Sequence, residues 1–168
     1  GFLGLKNVRI PRKNMLMKNS EVTEDGTFVK HRNALLTYGT MTMVRVGIIL
    51  DCNVFLAKAA TIAVRYSIVR RQSPIDPDKP EPKIMDHVTQ QNKVLPALTK
   101  AIVINITAKI LWSMHDEVMK QIEGGDLSHL SELHALSCCL KAICTDDQAQ
   151  AAEVCRLSCG GHGYLNSR

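Results

Sequence analysis

The chain has 168 residues, enough for one domain with part of another. Apolar residues make up 45% of it and charged residues 22%, a balance that supports a sizeable core and excludes a disordered chain. The net charge of +5 comes from basic side chains spread along the sequence, without the long single-sign runs of a nucleic-acid-binding surface, so no nucleic-acid partner is expected.

Residues 1 to about 32 are punctuated by Gly1, Gly4, Pro11 and Gly26. The opening "GFLGLKNVRIP" does not begin with methionine and lacks the charged leader, apolar block and cleavage site of a signal peptide. In "SEVTEDGTFVK" two short β-prone runs flank Asp25-Gly26, which predicts a hairpin. A lone hairpin buries too little surface to stand by itself, so these strands are expected to belong to a larger sheet.

From Ala34 to about Gln72 the pattern becomes helical, apolar on several faces, with no Gly or Pro after Gly47. Such a helix spans on the order of 50 Å. Its most membrane-like window, Val46 to Val64, contains Asp51, Asn53 and Lys58, each costly at mid-bilayer, which favours a buried helix over a membrane span. The helix is expected to end at "SPIDPDKPEPK", where Pro74, Pro77, Pro80 and Pro82 impose an extended connection.

A second helix is predicted from about Lys83 to Glu123, with Pro96 as a kink and Gly124-Gly125 as its stop. Its apolar positions Val94, Leu98, Ala101, Ile102 and Ile106 only partly hold one stripe, which predicts packing on two sides around Ala101 to Trp112. A third helix is expected to start near Ser128 to Ser131, with a hydroxyl capping its free amides, and to run to about Ser158. Long antiparallel helices on short links describe an up-and-down bundle, so the fold class is mainly α.

Six cysteines, Cys52, Cys138, Cys139, Cys144, Cys155 and Cys159, lack CxxC pairing and read as small buried hydrophobes in a reducing compartment. Neither HExxH nor an acidic cluster of metal spacing is present, so no metal is expected. Asp146 and Asp147 are adjacent and point apart on a helix, and no Ser/His/Asp arrangement emerges from the spacing. His115, His129 and His134 read as ordinary surface or helix positions, and His162 as a local hydrogen bonder.

Two stretches remain. Arg65, Arg70 and Arg71 suit the C-terminal end of the first helix, and an arginine fork there also suits a phosphate. "CGGHGY" is not a dinucleotide fingerprint, since the spacing differs and no strand precedes it. One left-handed glycine caps a helix; three suggest a backbone that something approaches closely.

The blocks "GFLGLKNVRIPRKNMLMK", "LTYGTM", "RYSIVRRQS", "EPKIMDHVTQQNKVLPAL", "GDLSHLSELHALS" and "CRLSCGGHGY" together resemble the peroxisomal acyl-CoA oxidases over essentially all 168 residues. Acyl-CoA dehydrogenases, which reduce an electron-transfer flavoprotein, are similar at a greater distance, and a non-catalytic helical scaffold kept for dimerisation is the alternative of another class.

The resemblance implies a peroxisomal, homodimeric FAD enzyme that oxidises fatty acyl-CoA to trans-2-enoyl-CoA and reduces O2 to H2O2. It implies that residues 1–32 are the tail of a middle β-barrel domain and residues 33–168 the first helices of the C-terminal FAD-binding and dimerisation domain. Arg70 matches an arginine that reaches the FAD pyrophosphate across the dimer, Gln90 a glutamine on the ADP half, and Gly160 and Gly161 the turn that nears the partner's FAD. Arg45 matches an arginine near the acyl-CoA site, with Tyr38 in the same neighbourhood. The family's catalytic glutamate lies in a block after "GGHGY", so the resemblance places it beyond Arg168 and implies an inactive fragment; any C-terminal peroxisomal address is expected there as well.

Overall fold

A computed structural model of the chain describes residues 1–17, 20–30, 39–74 and 76–165. It falls into two compact units, Gly1–Met41 and Thr42–Arg168.

In the first unit, strands β1 (Ser20–Val22) and β2 (Phe28–Lys30) pair antiparallel with Glu21 opposite Val29. The turn forms where the sequence predicts it. Gly26 takes φ +89°, a left-handed conformation that favours glycine. The Asp25 carboxylate accepts hydrogen bonds from the Thr23 hydroxyl and, at 2.9 Å, from the Thr27 hydroxyl, which hold its pKa below the usual carboxylate range. The sheet has two strands, and Phe28 and Val29 on β2 are exposed.

The second unit is built on α1 (Gly39–Val69) from Thr42 onward, α2 (Val88–Glu123) and α3 (Leu130–Ser158). Each buries a stripe whose successive members lie three, four or, on α3, seven residues apart. On α1 it includes Val46, Ile49, Leu56, Ala60 and Ala63, and on α2 Val94, Ala97, Ala101, Ile104, Ala108 and Leu111. On α3 it includes Leu133, Cys144, Ala151 and Cys155. Such stepping keeps one face of each helix on a common seam. Side-chain bonds give the directions: Asn53 on α1 bonds Asn105 on α2 at 3.3 Å, and Lys100 on α2 pairs with Asp147 on α3. Asp146 turns away to accept from Gln150 at 2.8 Å, so the two adjacent aspartates diverge as expected.

Several boundaries differ from expectation. The predicted start of α1 at Ala34 lies outside the described residues. α1 ends at Val69 because Arg70 and Gln72 turn their main chains to the proline-rich strand instead: Ile84 N–H donates to Arg70 O at 2.8 Å and Gln72 N–H to Pro82 O at 3.2 Å. Residues 84–86 form a 3₁₀ turn, which delays α2 to Val88. Pro96 is accommodated inside α2.

α2 stops as predicted, with Gly125 at φ +89°, Gly125 N–H bonded to Ile122 O and Asp126 N–H to Gln121 O, the double bond of a Schellman motif. At the start of α3 no hydroxyl caps the free amides. His129 holds the cap position, and Ser128 Oγ bonds its ring instead.

The expected two-sided packing of α2 is also revised. Its buried stripe runs through Ala97, Ile104 and Leu111, whereas Ile102, Val103, Ile106 and Ile110 are exposed. α1 likewise exposes Leu50, Phe55 and Ile62. Both helices carry an 18-residue stretch long and apolar enough to cross a membrane, with one third of it buried in the bundle.

Cys52, Cys144, Cys155 and Cys159 are buried, and burial pushes their thiols up; Cys138 is half-buried and Cys139 exposed, against the expectation for all six. A raised pKa leaves little thiolate. In the native protein, peptide-resolved alkylation at pH 8 should therefore leave the four buried cysteines unmodified on a timescale in which guanidinium-unfolded protein labels fully. Leu56, with no exposed surface, anchors the middle of the seam. Leu56→Ala should cost about 2–5 kcal/mol in denaturant unfolding.

Candidate functional site

At one end of the bundle a cleft of about 610 Å³ opens between the end of α1, the start of α2 and the turn after α3. Local chemistry shapes each wall.

The α1 wall carries Tyr66 and Arg70. Arg70 is exposed, and among the described residues its guanidinium makes one long contact, Nη2 to Gln72 Oε1 at 3.4 Å. Arg71 instead donates to the Glu81 carbonyl at 2.9 Å. Of the three arginines in the basic knot, Arg70 is the one that lines the cleft.

The α2 wall begins at its N-terminus, where His87, Thr89 and Gln90 line the opening. A helix N-terminus carries partial positive charge. No carboxylate lines the cleft among the described residues, and Arg70 supplies a cation, so its electrostatics suit an anion.

Gln90 does more than line the wall. Its Nε2 donates to Ser67 Oγ on α1 and to the Ser158 carbonyl on α3, each at 2.9 Å. One side chain thus ties all three helices. Ser67 is fully buried and Ser158 nearly so, which places this tie in the bundle's interior.

The third wall is the turn Gly160–Gly163, which answers what its glycines are for. Gly160 has φ +57°, the left-handed conformation that ends α3. At Gly163 a Cβ would run into the Arg156 carbonyl, so the close approach there is made by the chain's own helix. Gly161 needs neither; a Cβ there would meet open space. The turn is strapped in place from both sides. His162 Nδ1 lies 3.1 Å from the Tyr66 hydroxyl on α1, and Arg156 donates to the Gly163 carbonyl at 3.2 Å. Arg156 is itself held by Glu153 at 2.7 Å and lies 4.9 Å from the centroid of the Tyr164 ring.

Comparison with known proteins now bears on what this end of the bundle belongs to. Residues 38–168 match the family description "Acyl-CoA oxidase, C-alpha1 domain". The chain belongs to the acyl-CoA oxidase family. It is 60% identical over 166 residues to the acyl-coenzyme A oxidase 1 of Drosophila melanogaster, covering 99% of this chain and 25% of that protein. The peroxisomal acyl-coenzyme A oxidase 1 of Bos taurus is 48% identical over 164 residues, covering 98% and 25%. Among solved structures, Arabidopsis thaliana acyl-CoA oxidase 1 superposes with a TM-score of 0.87 at 40% identity, over 94% of this chain and 24% of that one. Acyl-CoA oxidase-2 of Caenorhabditis elegans, bound with FAD, ascaroside-CoA and ATP, gives 0.88 at 38% identity, over 96% and 24%. The chain thus spans about a quarter of the length of the relatives it matches.

In this acyl-CoA oxidase chain the structure brings Arg70, Gln90, Gly160 and Gly161, far apart in sequence, to one cleft. Arg45 is not with them. It sits near the start of α1, roughly 37 Å away at 1.5 Å per residue, with Nη1 buried and unpartnered among the described residues. Tyr38 lies outside the described residues.

Sequence reasoning missed Tyr66 and the second role of Gln90. The "Y" of "RYSIVRRQS" precedes the arginine by one helical turn, a spacing that places both on one face, but the partner, His162, is fixed only by the fold. His115 is buried, contrary to its reading as an ordinary position, and its Nε2 has no partner among the described residues.

Two substitutions separate the glycine roles. Gly163→Ala should lower the thermal midpoint by several degrees, because the new methyl meets the Arg156 main chain, while Gly161→Ala should melt within about a degree of the parent; differential scanning fluorimetry on nucleotide-free protein reads both.

Proposed function

We propose that this chain is the part of an FAD-dependent acyl-CoA oxidase that receives the ADP and diphosphate portion of FAD in the cleft. One observation carries the reading: a guanidinium with no strong internal partner, the N-terminus of a 36-residue helix and an unobstructed glycine main chain line one cavity, with no carboxylate among the described residues. These are the donors a diphosphate needs. The family match, and a C. elegans relative whose structure contains FAD, support the same group.

In this reading Arg70 binds the diphosphate through its fork, and Gly161 lets the main chain come close. Gln90 addresses the sugar or base. Tyr66 and His162 hold the turn against α1, so the glycine main chain is in place before the nucleotide arrives. Bound here, FAD supplies the flavin that accepts a hydride from fatty acyl-CoA, giving trans-2-enoyl-CoA with O2 reduced to H2O2. The base that takes the α-proton is assigned, on the resemblance alone, to sequence of the longer relatives outside this chain.

The remaining parts follow the resemblance. Residues 1–32 are assigned to the tail of a β domain, which accounts for a two-stranded hairpin with exposed Phe28 and Val29. The open apolar faces of α1 and α2 support a homodimer, in which the cleft serves the partner's FAD. Arg45, whose buried nitrogen at the far end of α1 has no partner among the described residues, is assigned with Tyr38 to the acyl-CoA side. Relatives named peroxisomal, at 48% identity in Bos taurus, support a peroxisomal location.

The test uses the full-length protein carrying this chain. It should purify with flavin absorbance and give acyl-CoA-dependent peroxide. Arg70→Ala should raise the FAD Kd about tenfold or more, the value of charged hydrogen bonds to phosphate, and Arg70→Lys should recover part of it. A colourless protein that neither takes up FAD nor forms peroxide overturns the reading.

A further inference from the structure

In "RYSIVRRQS" the nucleotide reading gives Arg70 a part and leaves Ser73 without one. Arg70 and Arg71 stand three and two residues before this hydroxyl, and Pro74 follows it. Cations at such offsets complement the acidic substrate grooves of arginine-directed protein kinases, and a proline directly after the serine is what proline-directed kinases select. Both signals are short, so the fold decides whether they can be used.

The structure leaves the serine open. Ser73 is exposed in the irregular connection between α1 and α2, with Arg70 and Arg71 exposed beside it. Its φ of +63° is a left-handed conformation, uncommon outside glycine and at odds with the extended form favoured before proline. Among the described residues one hydrogen bond holds it there, from Ser73 N–H to the Glu81 carboxylate at 3.2 Å. The segment therefore loses little by opening into the extended form in which a kinase groove takes its substrate.

Ser73 also lines the cleft, together with Arg70 and the glycine turn. A phosphoryl group on its Oγ carries about −1.5 to −2 charge at pH 7 and three strong acceptor oxygens. Arg71 is engaged with the Glu81 carbonyl at 2.9 Å, whereas the Arg70 fork has its one long contact with Gln72 among the described residues. Arg70 is thus the partner at hand. The carboxylate of Glu81 is repelled by the new charge, which loosens the bond that keeps Ser73 left-handed.

We propose that Ser73 is a phosphorylation site whose phosphoryl group pairs with Arg70 inside the cleft, so that modification and nucleotide binding exclude one another. In the transfer Ser73 Oγ attacks the γ-phosphorus of a nucleoside triphosphate and the bond from that phosphorus to the bridging oxygen breaks. The hydroxyl proton passes to the kinase's base and the nucleoside diphosphate leaves. The exclusion rests on the reading that the cleft takes the ADP and diphosphate portion of FAD: one fork cannot serve both anions, and two such charges repel within one cleft.

Nucleotide-free full-length protein is incubated with magnesium ATP and, in parallel, with an arginine-directed and a proline-directed serine/threonine kinase, and phosphate is mapped by peptide mass spectrometry. At least one kinase should modify Ser73, and saturating FAD should slow that modification about tenfold or more. The phosphorylated protein should bind FAD about tenfold or more weakly, and phosphatase should restore the affinity. Kinase treatment of Ser73→Ala should leave its FAD Kd within about twofold of the untreated variant. Protein that takes no phosphate at Ser73 from either kinase overturns the inference, as does full modification that leaves the FAD Kd within about twofold, or modification at an equal rate with FAD bound. Protein that binds no FAD before any kinase treatment sinks the functional reading; protein that binds FAD but misses these thresholds sinks this inference alone.

Discussion

The seam between the three helices is the constraint on which everything else rests. Many of its positions are small: Ala60 and Ala63 on α1, Ala97, Ala101 and Ala108 on α2, Ala151 on α3. Small side chains let helix axes approach, and steps of three, four or seven residues keep one face of each helix in contact along its length. Close approach is what allows one glutamine on α2 to reach a serine on α1 and a carbonyl on α3 together. The apolar layers supply the stability, and the Gln90 tie fixes the relative heights of the helices at the end where the cleft opens.

That end is polar for a structural reason as well as a functional one. Three chain segments terminate or begin there, so free carbonyls and amides concentrate, and each needs a partner. Some are satisfied internally, by Gln90 on the Ser158 carbonyl and Arg156 on that of Gly163. Arg70 also lines the cleft, with one long contact among the described residues, to Gln72. The division between groups that hold the bundle and groups left for a ligand gives the site its polarity, with Gln90 among the first and Arg70 among the second.

The opposite end has a different character. Thr42, His115 and Ser137 are buried on the three helices; Ser137 Oγ donates to the His134 carbonyl, whereas His115 Nε2 and Arg45 Nη1 are buried without a partner among the described residues. Buried nitrogens left without partners are costly, so His115 and Arg45 mark this end as a surface made to be covered. The exposed Ile102, Val103, Ile106 and Ile110 on α2 point the same way, since apolar side chains at such density are seldom left to water.

How much of this was legible in advance depends on the range of the interactions. The hairpin at Asp25-Gly26, the proline-rich connection and the stop at Gly124-Gly125 are local: glycine conformation and proline's missing N–H act within a few residues, so the sequence by itself determined them. It also determined three long helices and, through whole blocks such as "RYSIVRRQS" and "CRLSCGGHGY", the family. The face of α2 that packs was not legible, because Ile102 and Ile104 are equally apolar and only the neighbouring helices choose between them. Nor was the division of labour among the glycines, which depends on where Arg156 places its carbonyl, or the pairing of Tyr66 with His162 across 96 positions. Those features belong to the tertiary structure, since hydrogen bonds and close packing act over a few ångströms and nothing in the local sequence says which distant residue folding will bring within that distance.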